Sequence, residues 1–221
     1  MLRKIIHIII TVLFLPVCFA AGIAFYEEIG GINTLSKDQL YFFYGCVSYI
    51  LFHTIAFKPE RVYIFGHEMM HAVAAILSGG RVSSFKVSKA GGSVTTNKSN
   101  AFISLAPYLF PFYTILTAIL YFALLHFTNS AVLFSKLFLF FIGFTLTFHI
   151  VLTIDFLKIK QTDLLGTGYV FSIELIYFIN LLIIAFIFSL LFKEIEFKRF
   201  IYSMLVESKQ SYIFIFKQLF M

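Results

Sequence analysis

The sequence predicts an all-α polytopic membrane protein: about six transmembrane helices, a small interfacial β-hairpin and a C-terminal amphipathic helix. Three observations carry this. Sixty per cent of the 221 residues are hydrophobic, against about 45–50% in a soluble domain. Mean hydropathy is +0.94, and phenylalanine alone supplies 31 positions. Apolar runs of bilayer length recur along the chain, and one of them carries three ionisable groups within five residues.

The apolar segments fall at 5–25, 41–57, 62–78, 102–126, 131–154 and 169–192. The first follows a basic head, Arg3-Lys4, and reads as a retained anchor in preference to a signal peptide. Lys58-Pro59-Glu60-Arg61 is a tight turn between the second and third segments, which are both short. After the third come two β-prone runs around Gly91-Gly92, a hairpin signal. Its open edge must sit at the interface or against protein, where it can take up an extended substrate by strand addition. Pro107 and Pro111 kink the fourth segment. The tail, 193–221, alternates charges with Ile195, Phe197, Phe200, Ile201, Met204 and Leu205, an interfacial amphipathic pattern. The chain therefore divides into a membrane-embedded domain over 1–192 and an amphipathic tail over 193–221.

The formal charge of +6 is scattered between apolar runs. It suits anionic headgroups and forms no nucleic-acid patch, so the expected partner surface is a lipid bilayer. Arg3, Lys4 and the basic tail argue for cytoplasmic termini, whereas the loop bearing Arg81, Lys86, Lys89 and Lys98 pulls the other way. A re-entrant segment or a cleaved N-terminus reconciles the two. Cys18 and Cys46 lack C-x-x-C spacing and read as small buried hydrophobes.

The chemistry is concentrated in His67-Glu68-Met69-Met70-His71, an H-E-x-x-H pattern. On a helix, positions i and i+4 share a face, so both imidazoles reach one metal ion. Glu68 lies beside that face, placed to act as general base on a water at the same ion. A catalytic Zn2+ takes three protein ligands and keeps one position open. The third is sought among His149, Asp155, Asp163 and Glu174. Asp163, just before the last span, leads; Asp155 is the runner-up, and His149 is a ligand, a supporting group or a satisfied polar residue. His53 and Asn180 read as partnered polar groups within spans.

The run from Lys58 to Ala72, with Gly79-Gly80-Arg81 and the Gly91-Gly92 hairpin, resembles the site-2-protease-like membrane metallopeptidases, in particular their short bacterial branch. The resemblance covers about 55–180. It implies a zinc metalloendopeptidase of the cell membrane, with His67, His71 and an aspartate as ligands and a membrane-anchored protein as substrate. The larger branch carries its aspartate in an Asn-Pro-rich L-D-G motif. Here Gln161-Thr162-Asp163 stands in its approximate place, without the Asn and Pro. Two other classes compete. A non-catalytic metal-binding scaffold has no use for Glu68, and a metal transporter needs several ligand clusters along a path where this chain has one.

Overall fold

The computed structural model describes residues 2–88, 91–127, 131–159 and 161–221. Lys89 and Ala90, at the expected hairpin turn, and Lys160 lie outside them. Eight α-helices and one two-stranded sheet account for most of the described chain. The helices form two compact units, residues 36–166 and residues 1–35 with 167–221.

In chain order α1 is Leu2–Gly30, α2 Lys37–Ile55 and α3 Glu60–Leu77, and the unit of residues 36–166 opens with α2. Ser36 starts α2 with a capping box, its hydroxyl accepting from Gln39 N–H while the Gln39 side chain accepts from Ser36 N–H. Pro59 blocks any earlier start of α3. A Schellman turn ends α3: Gly79 N–H donates to Ile76 and Gly80 N–H to Ala75, with Gly79 at φ +70°. β1 (Val82–Ser88) then pairs antiparallel with β2 (Gly91–Thr96), with Phe85 opposite Val94 and Val87 opposite Gly92. The glycine pair was expected to be flanked by the two runs. Instead it opens β2, where Gly92 runs against α3.

Asn100 caps α4 (Ala101–Leu109) through Ile103 N–H. Pro107 and Pro111 end it, and α5 (Phe112–Phe127) leaves at 70°. α6 (Ala131–Leu157) packs along α2 at backbone distance, where Gly45 and Gly143 meet the facing main chain. A core of Tyr49, Tyr63, Phe148 and Leu152 ties α2, α3 and α6 together. A second core, Ala74, Ala75, Ile103 and Ala106, seats α4 on α3. A 3₁₀ turn, Thr162–Leu164, closes this unit, with Leu164 wholly buried.

The other unit packs α1 against α7 (Tyr169–Leu191) and α8 (Phe197–Phe220) around Ala21, Ala24, Leu181, Ala185, Phe200 and Met204. α8 runs antiparallel along α1. Arg199 donates two 2.6 Å hydrogen bonds to Glu28 at one end, and the Tyr212 hydroxyl donates to the Leu13 carbonyl at the other.

Among the described residues three helices are long and apolar enough to cross a membrane, at Ile6–Gly30, Ser135–Leu157 and Tyr169–Leu191. The bent pair α4 and α5 makes a fourth if it is one span. The six spans expected from the sequence are therefore not borne out: each segment falls largely in helix, but the fourth is divided between α4 and α5, α2 opens on Lys37-Asp38 and α3 carries Glu60, Arg61 and Glu68. Large apolar side chains stay exposed along the spans, among them Ile8, Phe19, Phe141 and Leu190. That surface suits lipid, and the chain is a membrane protein.

Candidate metal centre

The site is built on one helix face, one proline-broken helix and one short turn. His67, Glu68 and His71 sit on α3, and the i, i+4 spacing sets the two imidazoles side by side, ring centroids 4.9 Å apart. Asp163 arrives from the 3₁₀ turn. Its Oδ2 stands 3.5 Å from His67 Nε2 and 3.4 Å from His71 Nε2. These three groups place their ligand atoms within 4.8 Å of one another, the only such grouping among the described residues.

The distances bear on what the arrangement could hold. A charge-assisted N–H···O bond closes to about 2.7–2.9 Å. Two ligands of one tetrahedral zinc, each about 2.0–2.1 Å from the ion, lie about 3.3–3.4 Å apart. The observed 3.4 and 3.5 Å match a shared ion better than two salt bridges. The donor set, two imidazoles and one carboxylate, also suits zinc. Burial pushes the Asp163 carboxyl up, but hydrogen bonding and charge from His67 and His71 outweigh it and hold the group far below the usual carboxylate range. It is therefore ionised, as a ligand must be.

Neighbouring groups orient these three. His71 Nδ1 donates to the Ile103 carbonyl at 2.8 Å, which leaves Nε2 as its ligand atom. The Tyr108 hydroxyl donates to Asp163 Oδ2 at 3.2 Å, and its ring stands edge-on to His67 with centroids 4.9 Å apart. Tyr108 is completely buried, so it steadies the carboxylate without meeting a substrate. His67 Nδ1 is buried with no hydrogen-bond partner.

Glu68 is 7% exposed and, with His67, His71 and Asp163, lines a cleft of about 480 Å³. Strand β2 forms one wall through Gly92, Ser93 and Val94. A methyl group built on Gly92 would stand 2.4 Å from Glu68 Cγ and 2.7 Å from Oε1. The strand thus approaches the carboxyl as closely as only glycine permits.

A family model described as Peptidase M50B-like matches residues 44–194, which include every residue of this centre. The chain belongs to the Peptidase M50B-like family. It is of the site-2-protease-like kind that the motif resembles, and membership makes it a protease. No curated protein and no solved structure matches it.

In this M50B-like chain the other candidates go elsewhere. Asp155 is held by Lys58 Nζ and Lys158 Nζ at 2.7 Å each, with His53 Nε2 at 3.4 Å. His53 is thereby the partnered group expected, its Nδ1 also 3.1 Å from the Tyr49 hydroxyl. His149 is buried on α6 and shares a small cavity with His67, outside the ligand grouping. Glu174 lies on α7 in the other unit, both carboxyl oxygens buried without a partner. Asn180 donates to Ile176 of its own helix at 2.8 Å. The sequence reading missed Tyr108, one of 12 tyrosines with no motif around it, and the contact between Gly92 and Glu68. Pro107 was the available signal for the first of these neighbours, because a proline in a buried helix marks backbone groups turned to other use.

Proposed function

We propose that this peptidase is a zinc-dependent intramembrane endopeptidase, a multi-pass protein of the cell membrane that hydrolyses a peptide bond in a membrane-anchored protein. One observation carries the reading: the Asp163 carboxylate stands from each of two imidazoles at the spacing of two ligands on one tetrahedral ion, beside Glu68 in an open cleft. His67, His71 and Asp163 hold the zinc. Bound there, the ion supplies Lewis acidity toward a peptide carbonyl and toward a water.

The protein's own groups do the rest. Glu68 accepts the proton of the attacking water and returns it to the leaving amine. Burial at 7% exposure suits a carboxyl that must hold a proton between those two events. Tyr108 keeps Asp163 turned toward the histidines. A helical substrate hides its carbonyls in hydrogen bonds, so it must unwind before attack. β2 pairs with β1 along one edge only, and its cleft-lining residues offer the unwound segment a strand to lie against.

The test is metal content of detergent-purified protein, for wild type and for His67→Ala, Asp163→Ala and Asp155→Ala. The expected result is one zinc per chain, lost with His67 or Asp163 and kept without Asp155. Well-folded wild type that takes up no zinc sinks the reading. So does zinc that stays when Asp163 is removed, because the third ligand would then lie elsewhere.

A further inference from the structure

Pro107 lies inside α4 and Pro111 beyond its end. A proline has no N–H, so the carbonyl four residues before it in a helix loses its helical donor. For Pro107 that carbonyl belongs to Ile103, and it receives the Nδ1 proton of His71 at 2.8 Å. Past Leu109 the helix is over, and its last carbonyls lack helical donors whatever residue follows. The Pro107 residue lines a cavity of about 10 Å³ together with His67, whose buried Nδ1 has no partner.

α3 and α4 run antiparallel: Ser78 meets Asn100, His71 meets Ile103 and His67 meets Tyr108. Ile103 is itself buried in the core that seats α4 on α3, with Ala74, Ala75 and Ala106, so its carbonyl is held at the His71 ring.

We propose that Pro107 is a positioning residue of the metal centre: the carbonyl it releases, that of Ile103, holds the Nδ1 proton of His71. That ring is thereby fixed with Nε2 toward Asp163. The purpose of this arrangement rests on the zinc reading above; its hydrogen bonding does not.

The experiment separates the two. Protein labelled with [15N]histidine is stripped of metal and its ring nitrogens are observed by NMR at about pH 8, with signals assigned through His67→Asn and His71→Asn. Wild-type His71 is expected to carry its proton on Nδ1, because a bare Nδ1 would face the lone pair of the Ile103 carbonyl. Pro107→Ala supplies an N–H that competes for the Ile103 carbonyl. It should move the His71 proton away from Nδ1, leave His67 unchanged, and weaken zinc binding about 10- to 100-fold. A bare Nδ1 on His71 of wild type overturns the proposal, as does a Pro107→Ala protein with an unaltered His71 signal and unaltered zinc affinity. If Pro107→Ala does not fold, the wild-type His71 signal decides alone. A protonated His71 Nδ1 in a protein that takes up no zinc would support the carbonyl bond and sink the zinc reading. Zinc uptake with a bare Nδ1 would do the reverse.

Discussion

Gly92 shows how much of this centre hangs on single atoms. A β-carbon there would fall 2.4 Å from Glu68 Cγ, closer than carbon atoms approach, so one of the two must move. The Glu68 side chain is flexible and the strand is tied to β1 through Val87, so the carboxyl gives way. Gly92→Ala is expected to keep its zinc and its fold while turnover drops by roughly 10- to 100-fold, the scale on which misplaced catalytic groups lose rate. Metal content and peptide-cleavage rate on the same preparation check this; unchanged turnover would mean that Glu68 is not held by the strand. His67, Glu68 and His71 were legible in the sequence because five consecutive residues encode both the spacing and the chemistry. Asp163 was legible as the leading candidate from its place just before the last span and from the family resemblance, though no periodicity links an aspartate 92 positions after His71 back to it. Tyr108 was signalled only by Pro107 beside it, and the contact of Gly92 with Glu68 by nothing in the sequence. Their roles come from the α3–α4 and α3–β2 contacts, which local sequence does not encode.

At the scale of elements, α2 and α6 meet through a reciprocal pair of glycines. A β-carbon on Gly45 would stand 1.9 Å from the Phe140 carbonyl oxygen, and one on Gly143 2.0 Å from that of Phe42. The atoms in the way are backbone on rigid helices, so the helices themselves must separate. Close approach through small residues is a common way for apolar helices to bind each other where lipid competes for their surfaces. Gly143→Ala is expected to destabilise the unit of residues 36–166 by about 1–3 kcal/mol or more, as overpacking does. Thermal unfolding in detergent reads it, and an unchanged midpoint would show that the crossing can relax. The apolar runs announced the helices, because a bilayer-length run of Phe, Ile and Leu has few other solutions. They did not announce which helices cross, since charges at the ends of α2 and inside α3 lower their apolar character. Nor did they place α8, whose amphipathic pattern serves burial of Phe200, Met204 and Ser208 in a helix that runs beside α1.

At the scale of the whole molecule, every group of the proposed centre belongs to one unit. His67, Glu68, His71, Tyr108 and Asp163 all lie within residues 36–166, whereas α1, α7 and α8 form a unit with its own core and its own Glu28–Arg199 ion pair. The turn that delivers Asp163 is anchored by buried Leu164, the Tyr108 hydroxyl and a 2.9 Å bond from the Gln161 side chain to the Phe156 carbonyl. An ion joining this turn to α3 would add a direct bond from Asp163 to that helix. Free zinc at a hundred times its dissociation constant stabilises the folded form by about 2.7 kcal/mol. Removal with a chelator should release that stabilisation where the ligands are, not uniformly. Amide hydrogen exchange is expected to rise in residues 158–166 and along the His67–His71 turn of α3, to stay level across 1–35 and 167–221, and to recover when zinc is restored. Equal exchange with and without chelator would mean that protein contacts alone hold Asp163 in place. A rise of the same size in both units would mean that they unfold together, so that metal binding supports the molecule as a whole and not only the turn it bridges.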